Sequence, residues 1–353
     1  MKRIGVIGAG AWGTALANAA AKAGRDVILH GRDLALIEAI GRLRSNEKYL
    51  PGIRIEDKVT PTADLMRAVD SDAILLVTPT QSLRETARLL APVLPEGIPL
   101  VACAKGIEVG SKKFVTEVIG EVLPKARPAI LSGPSFAEDV ARGLPTAVTL
   151  AAHDERLAME LAAALSSQTL RLYHSIDVRG VEIGGATKNV LAIAAGIAAG
   201  RKLGASAQAA LSTRGLAELA RFARAYGAKP ETLTGLSGLG DLILTCSSPQ
   251  SRNYAFGVSL GRSSSVDVRG KKLTEGVYTA PALVEAARAK KIEMPIAEAV
   301  AAVLGNKLDI GDAIMASRGP PVTPADAHPR LACAAALAQR ARLPELRATL
   351  ARR

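Results

Sequence analysis

The chain has 353 residues, a hydrophobic content of 48% and a formal net charge of +12 at pH 7. That is long enough for two domains with their own cores, and too apolar for a disordered chain or a coiled coil. Aromatics at 3% are too few for the stacking platforms that hold single-stranded nucleic acid. The basic residues are dispersed except near the end (Arg340, Arg342, Arg347, Arg352, Arg353), so the charge points to small anionic ligands rather than to nucleic acid.

The first element is a short apolar strand beginning at Lys2-Arg3-Ile4, followed by Gly8-Ala9-Gly10-Ala11-Trp12-Gly13 and a helix from Thr14 to Ala23. Gly8 permits a tight turn, Gly10 lets backbone approach a pyrophosphate, and Gly13 allows close helix–strand packing. The helix N-terminus offers free N–H groups and partial positive charge to the same anion. A Gly-rich turn alone is weak evidence; a strand before it and a helix after it supply the context. The same stretch imitates a secretory signal, but Gly5, Gly8, Gly10 and Gly13 make a poor apolar region.

A second strand is expected at Asp26–His30, then a turn at Gly31-Arg32-Asp33. This turn lies where a dinucleotide fold inspects the ribose 2′ position. Arg32 suits a 2′-phosphate, so NADP(H) is preferred and NAD(H) left open. Asp33 also reads as the cap of a helix from Leu34. Further strands are expected at Asp72–Val77, Pro99–Cys103, Ala129–Leu131, Thr146–Leu150 and Thr169–Tyr173. Lys105, and the Gly133-Pro134-Ser135 loop, each follow the carboxyl end of one of them, where ligands bind in open α/β sheets.

The pattern changes near Gly180. The segment before it (1–180) reads as a Rossmann-like, doubly wound α/β domain with a mostly parallel sheet. From 181 to 319 the chain reads as a helical domain, with 320–353 as an extension. A cleft between the two is a common ligand site. The longest small-apolar stretch, Val190 to Gly200, is too short to span a bilayer, so no stable membrane insertion is expected. Cys103, Cys246 and Cys333 are an odd number without metal spacing, which fits buried thiols in a reducing compartment. The four histidines are scattered, so no metal site is expected.

Lys188 sits between Gly184-Gly185-Ala186 and Val190-Leu191-Ala192. Burial, or a second cation such as Lys105, would bring its pKa toward neutrality, where it can exchange a proton with an alcohol or carbonyl oxygen. Spacing alone leaves open a lysine snorkelling at a helix end.

Eight segments, from residue 4 to about 318, resemble the bacterial NAD(P)-dependent glycerol-3-phosphate dehydrogenases: GAGAWGTALA, AKGIE, LSGPSFAEDVA, GATKNVLAIAAGIAAG, LSTRGLAEL, GLGDLILTC, SRN with its nearby FG, and LTEGV. The resemblance implies interconversion of dihydroxyacetone phosphate and sn-glycerol 3-phosphate, with Lys188 as proton donor and acceptor. It implies that Lys105 meets both substrate and cofactor, and that Asp241 bonds the substrate or holds Lys188. Ser251, Arg252 and Asn253 would grip the substrate end, and Gly133 and Ser135 would meet it through their loop. Gly8, Gly10, Ala11, Trp12, Gly13, Arg32, Ala137 and Arg252 would line the cofactor site, with Leu273 and Glu275 closing over the nicotinamide or ribose. Glu275 reads equally as an ordinary first-turn acid.

A cytoplasmic enzyme feeding glycerophospholipid synthesis is likewise implied by the family. Tyr254-Ala255 after SRN departs from a pattern that is often basic. The extension, with a helix expected over Leu331–Leu350, reads as a dimerisation helix, a docking segment or a dispensable tail, and a homodimer is left open. Rival readings are a β-hydroxyacid or keto-acid dehydrogenase of the same architecture, a non-catalytic NADP-binding sensor, and a nucleic-acid binder suggested by charge alone.

Overall fold

The computed structural model describes residues 1–263 and 274–316. Leu273, Cys333, His328 and the extension from 320 lie outside the described residues, as does the helix expected over Leu331–Leu350.

Among the described residues ten strands form: β1 (Arg3–Ile7), β2 (Asp26–His30), β3 (Ser45–Asn46), β4 (Leu50–Arg54), β5 (Val59–Thr62), β6 (Ala73–Leu76), β7 (Pro99–Ala102), β8 (Arg127–Ser132), β9 (Thr146–Ala152) and β10 (Leu170–Ser175). Eight make one sheet in the order β10-β9-β8-β7-β6-β1-β2-β5, and β3 and β4 form a separate hairpin. Every pairing in the large sheet is parallel except β8 with β9. β6 and β7 are buried at every residue, as strands covered on both faces must be.

The topology explains where ligands go. The chain winds from β1 outward to β2 and β5, then returns to the other side of β1 and winds outward through β6, β7 and β8. The direction reverses between β1 and β6, and the crevice at the carboxyl ends of strands flanking such a reversal is the binding edge of doubly wound sheets. The Gly-rich turn leaves β1 at that edge and enters α1 (Ala11–Lys22).

Two elements escape sequence reading. β5 is an edge strand containing Pro61, and proline is tolerated at a sheet edge but argues against a strand on sight. The hairpin β3–β4 is short and carries Pro51 and Gly52. The other expected strands appear within a residue or two of their expected positions, and no strand follows Val181 among the described residues.

The helical part is built around one central helix, Val178–Gly200, buried along nearly all of its length. The sequence estimate of a short apolar stretch needs correcting. The helix has 23 residues, long and apolar enough by length and composition to cross a membrane, because it starts well before Val190. Here the helices Ala205–Ala225, Asp241–Ser247, Arg252–Arg262 and Glu275–Ala289 and the sheet surround it, as expected for the core helix of a domain that is apolar all round.

Its tightest neighbour is Arg252–Arg262. Gly196 and Gly200 on one helix face Gly257 and Gly261 on the other. A Cβ on Gly257 would lie 2.2 Å from the Ile193 carbonyl oxygen, and one on Gly196 2.1 Å from that of Tyr254. Small residues spaced by four let the two backbones touch. Gly257→Ala is therefore expected to push the helices apart and to destabilise the protein by about 1–3 kcal/mol, read as a lower urea midpoint with an unchanged slope.

The central helix is tied to the sheet domain by Glu182, which is almost fully buried. Its Oε1 accepts from the Thr116 backbone N–H (2.8 Å) and hydroxyl (2.7 Å). Arg179 lies 3.4 Å from the other oxygen. Burial raises the Glu182 carboxyl to about 7.

Candidate active site

The site lies where the carboxyl ends of β7 and β8 meet the central helix. Lys105 follows β7, Gly133 follows β8, and Lys188 projects from the central helix. Gly133 has φ +147°, and a Cβ there would fall 2.9 Å from the Val148 Cα, so glycine is required by both conformation and space. The turn Leu236–Gly240 is wound as a short π-helix that leads directly into Asp241–Ser247. It delivers Asp241, 1% exposed, between the two lysines.

Lys188 Nζ donates to Asp241 Oδ1 at 2.6 Å and to the Thr245 hydroxyl at 2.8 Å. Lys105 Nζ donates to Asp241 Oδ2 at 2.8 Å and to the Gly133 carbonyl at 2.8 Å. The Thr245 hydroxyl donates to Asp241 Oδ1 at 3.1 Å. One carboxylate thus holds two ammonium groups, one from each part of the molecule, and the cluster carries a net positive charge. Such a cluster attracts an anion and stabilises negative charge developing on oxygen.

The titration of the cluster follows from burial. Burial lowers Lys188 to about 8; the Asp241 carboxylate opposes this and Lys105 adds to it. Burial works to raise Asp241, but the two ammonium groups outweigh it and hold the carboxyl below its ordinary range. Cys246, also buried nearby, is pushed up to about 12 by burial, which favours the neutral thiol.

The remaining polar groups hold the backbone together. The Asn189 amide donates to the Lys105 carbonyl at 2.9 Å. The Asn253 amide donates to Asn189 Oδ1 at 2.9 Å, and Asn253 Oδ1 accepts from the Gly276 N–H at 2.9 Å. Ser251 caps the helix Arg252–Arg262 by accepting from the Tyr254 N–H. Ser135 donates its hydroxyl to the Gly133 carbonyl at 3.1 Å. Arg252 is exposed at the first position of its helix.

The opposite side of the cleft fits a dinucleotide. Gly8 has φ +121°, and a Cβ on Gly13 would lie 1.8 Å from the Gly8 carbonyl oxygen. A Cβ on Gly10 would meet nothing within 4 Å, and Gly10 provides no side-chain cap for α1. The first-turn N–H groups beside Ala11 and Trp12 are therefore left for an anion. Ala137 opens the helix Ala137–Ala141, which packs against α1.

Glu275 reaches across from the helical part to accept from the Thr80 N–H at 3.1 Å, and burial pushes its carboxyl up. Its second oxygen and the hydroxyls of Thr80 and Thr279 are buried without a hydrogen-bond partner. All three surround Gly106, where a Cβ would come within 2.5 Å of the Thr80 hydroxyl. Buried polar groups of this kind are satisfied by water or by a polar ligand.

Comparison with known proteins agrees with this geometry. The family model for the N-terminus of NAD-dependent glycerol-3-phosphate dehydrogenase matches residues 3–158, and that for its C-terminus matches residues 177–315. The chain is 63% identical over 314 residues to a glycerol-3-phosphate dehydrogenase [NAD(P)+] of Azorhizobium caulinodans, covering 89% of this chain and 95% of that one. It is 63% identical over 313 residues to the protein of that name from Bradyrhizobium sp. strain ORS 278, with the same two coverages.

The chain belongs to the NAD-dependent glycerol-3-phosphate dehydrogenase family.

Among solved structures, the glycerol-3-phosphate dehydrogenase of Coxiella burnetii superposes with a TM-score of 0.84 at 36% identity, covering 89% of this chain and 98% of that one. A ketopantoate reductase from Ralstonia eutropha shares the fold alone, with a TM-score of 0.58 at 18% identity over 86% of this chain and 98% of that one. The keto-acid rival is thus a relative in architecture only.

Of the residues singled out from the sequence, the structure brings together Lys105, Gly133, Lys188 and Asp241, with Ser135 bonded to the same Gly133 carbonyl. Ser251 and Asn253 are committed to internal bonds, and Leu273 lies outside the described residues. Sequence reading missed Asn189, Thr245, Thr80, Gly106 and Thr279. Thr245 was within reach, being one helical turn beyond Asp241, where i and i+4 side chains share a face.

Proposed function

We propose that Lys188 is the acid/base of an NAD(P)H-dependent reduction of dihydroxyacetone phosphate to sn-glycerol 3-phosphate, with residues 1–180 holding the dinucleotide and 181–319 the substrate. The observation that carries it is the buried Lys105–Asp241–Lys188 cluster at the carboxyl edge of the sheet. The nicotinamide, when bound, supplies the hydride. In the reductive direction the Lys188 ammonium donates a proton to the carbonyl oxygen as that oxygen gains charge, and Lys188 is left as the neutral amine. Asp241 remains ionised throughout and keeps Nζ directed at the oxygen. Lys105 stays charged and stabilises the developing alkoxide. In the reverse direction the neutral Lys188 amine takes the alcohol proton.

Arg252 and the net positive cluster suit the phosphate of the substrate. Gly8, Gly10, Ala11, Trp12, Gly13 and Arg32 hold the cofactor, with Ala137 and Glu275 beside it. On this reading the enzyme works in the cytoplasm and its product feeds glycerophospholipid synthesis.

The test is loss of reduced-nicotinamide absorbance on mixing the protein with dihydroxyacetone phosphate and NADPH or NADH. Oxidation with either supports the reading; folded protein that binds NADPH and oxidises neither points to a different substrate or a sensor. The pH dependence adds a sign. Reduction needs the ammonium, so its kcat is expected to fall as pH rises through about 8, while oxidation, which needs the amine, rises through the same range. Limbs of the same sign in both directions would remove Lys188 from this role.

A further inference from the structure

The turn after β2 holds two residues of opposite charge, Arg32 and Asp33, at the edge where a ribose 2′ position is read. Asp33 is doubly engaged. Its Oδ1 accepts from the Leu36 N–H at 3.1 Å, capping the helix Leu34–Leu43. Its Oδ2 is paired with Lys48 Nζ at 3.0 Å. A carboxylate that already accepts a bond at each oxygen is a weaker acceptor for a ribose hydroxyl, and the pair it forms with Lys48 is neutral. Arg32 has no ion pair among the described residues and is exposed.

Lys48 belongs to the turn of the β3–β4 hairpin, and that hairpin is fastened to the nucleotide turn. The buried Asn46 amide donates to the Ala9 carbonyl at 3.0 Å and to the Thr14 hydroxyl at 2.8 Å. The turn after β2 is pressed against the same place: a Cβ on Gly31 would lie 2.9 Å from the Ala9 Cβ and 2.8 Å from the Ile37 Cδ1. Hairpin, Gly-rich turn and Arg32-Asp33 therefore form one rigid corner. Lys48, with its side chain 54% exposed, faces solvent at that corner beside the Tyr49 ring.

We propose that Lys48 is a specificity-determining residue that favours NADP(H) over NAD(H), by neutralising Asp33 and joining Arg32 as the second cation on the ribose 2′-phosphate. The inference rests on the cofactor reading above. Two cations can share the charge of a phosphate, whereas a bare carboxylate at this position repels it and accepts a 2′-hydroxyl instead. Lys48 holds Asp33 out of that second role. The pairing also holds the Asp33 carboxyl below its ordinary range, after the helix N–H contact that contributes most.

The test is calorimetric titration of the full chain with NADPH, NADH, 2′,5′-ADP and 5′-ADP, for the natural protein, Lys48→Met and Asp33→Asn. Lys48→Met is expected to weaken NADPH and 2′,5′-ADP by about tenfold, with no matching loss for NADH or 5′-ADP. Asp33→Asn keeps the cap, since asparagine caps a helix as well as aspartate, and is expected to move the NADPH-to-NADH ratio the other way. A Lys48→Met ratio within about twofold of the natural protein, or equal weakening of both dinucleotides, overturns the inference alone. A natural protein that binds neither dinucleotide overturns the cofactor reading and this inference with it.

Discussion

Lys188→Ala is expected to lower kcat for dihydroxyacetone phosphate reduction by about 10²–10⁴-fold, the range a positioned proton donor contributes. NADPH affinity should change little, because the Gly8–Gly13 turn and the Arg32 corner lie on the other side of the cleft. The substitution also leaves Asp241 with Lys105 as its remaining cation, so the pocket falls from net positive to neutral and KM for the phosphate substrate is expected to rise. Lys188→Arg separates charge from proton transfer. A guanidinium keeps the positive charge but cannot deprotonate in this pH range, so substrate affinity should recover more than turnover. A single-turnover measurement with saturating NADPH checks both. Near-normal turnover in Lys188→Ala would remove Lys188 from the chemistry.

Asp241→Asn is expected to be the most damaging substitution for stability within the site. It leaves two ammonium groups, one buried and one nearly so, around a neutral amide whose N–H₂ end opposes one of them. Removing one partner of a buried ion pair typically destabilises by about 3–5 kcal/mol, because the surviving charge is left without compensation. The protein has a second way to respond. The carboxylate is the group that holds the Lys188 pKa up against burial, so its loss drives that pKa further down. The falling limb of reductive kcat is then expected to move to lower pH than in the natural enzyme. Urea unfolding measures the first effect and a pH–kcat profile the second. An unchanged midpoint together with an unmoved limb would mean that Asp241 does not compensate the two lysines.

The two substitutions differ in what they disturb. Lys188→Ala removes the proposed proton donor from an intact frame, whereas Asp241→Asn disturbs the link between the two parts of the chain. Lys105 comes from the sheet side and Lys188 from the central helix, and Asp241 holds both. The Asn189 bond to the Lys105 carbonyl and the Glu275 bond to the Thr80 N–H are further ties between the two parts. On the proposed mechanism stability and catalysis are coupled, because the same carboxylate serves both.

The sequence by itself determined the elements whose signal is local. The apolar run before Gly8, the glycine spacing after it and the strand–helix alternation up to Tyr173 encode a Rossmann-like sheet, because side-chain period and turn residues act over a few positions. The capping role of Asp33 was legible for the same reason, being a bond to an N–H three residues on. Pro61 concealed β5, and Pro51 with Gly52 concealed the hairpin, because edge pairing is decided by the neighbouring strand rather than by propensity.

The alanine-rich segment around Lys188 showed a helix but not its partners. Only packing set Gly196 and Gly200 against Gly257 and Gly261, and only packing closed the site. The bonds that define it join residues 53, 136 and 195 positions apart. No local pattern carries such pairings, since they follow from which faces can be buried together once the sheet and the central helix exist. The tertiary structure alone decided that one carboxylate serves two lysines, and that Lys48 sits beside Asp33. In both cases the ion pair joins charges that only the packing of separate elements brings within reach of one another.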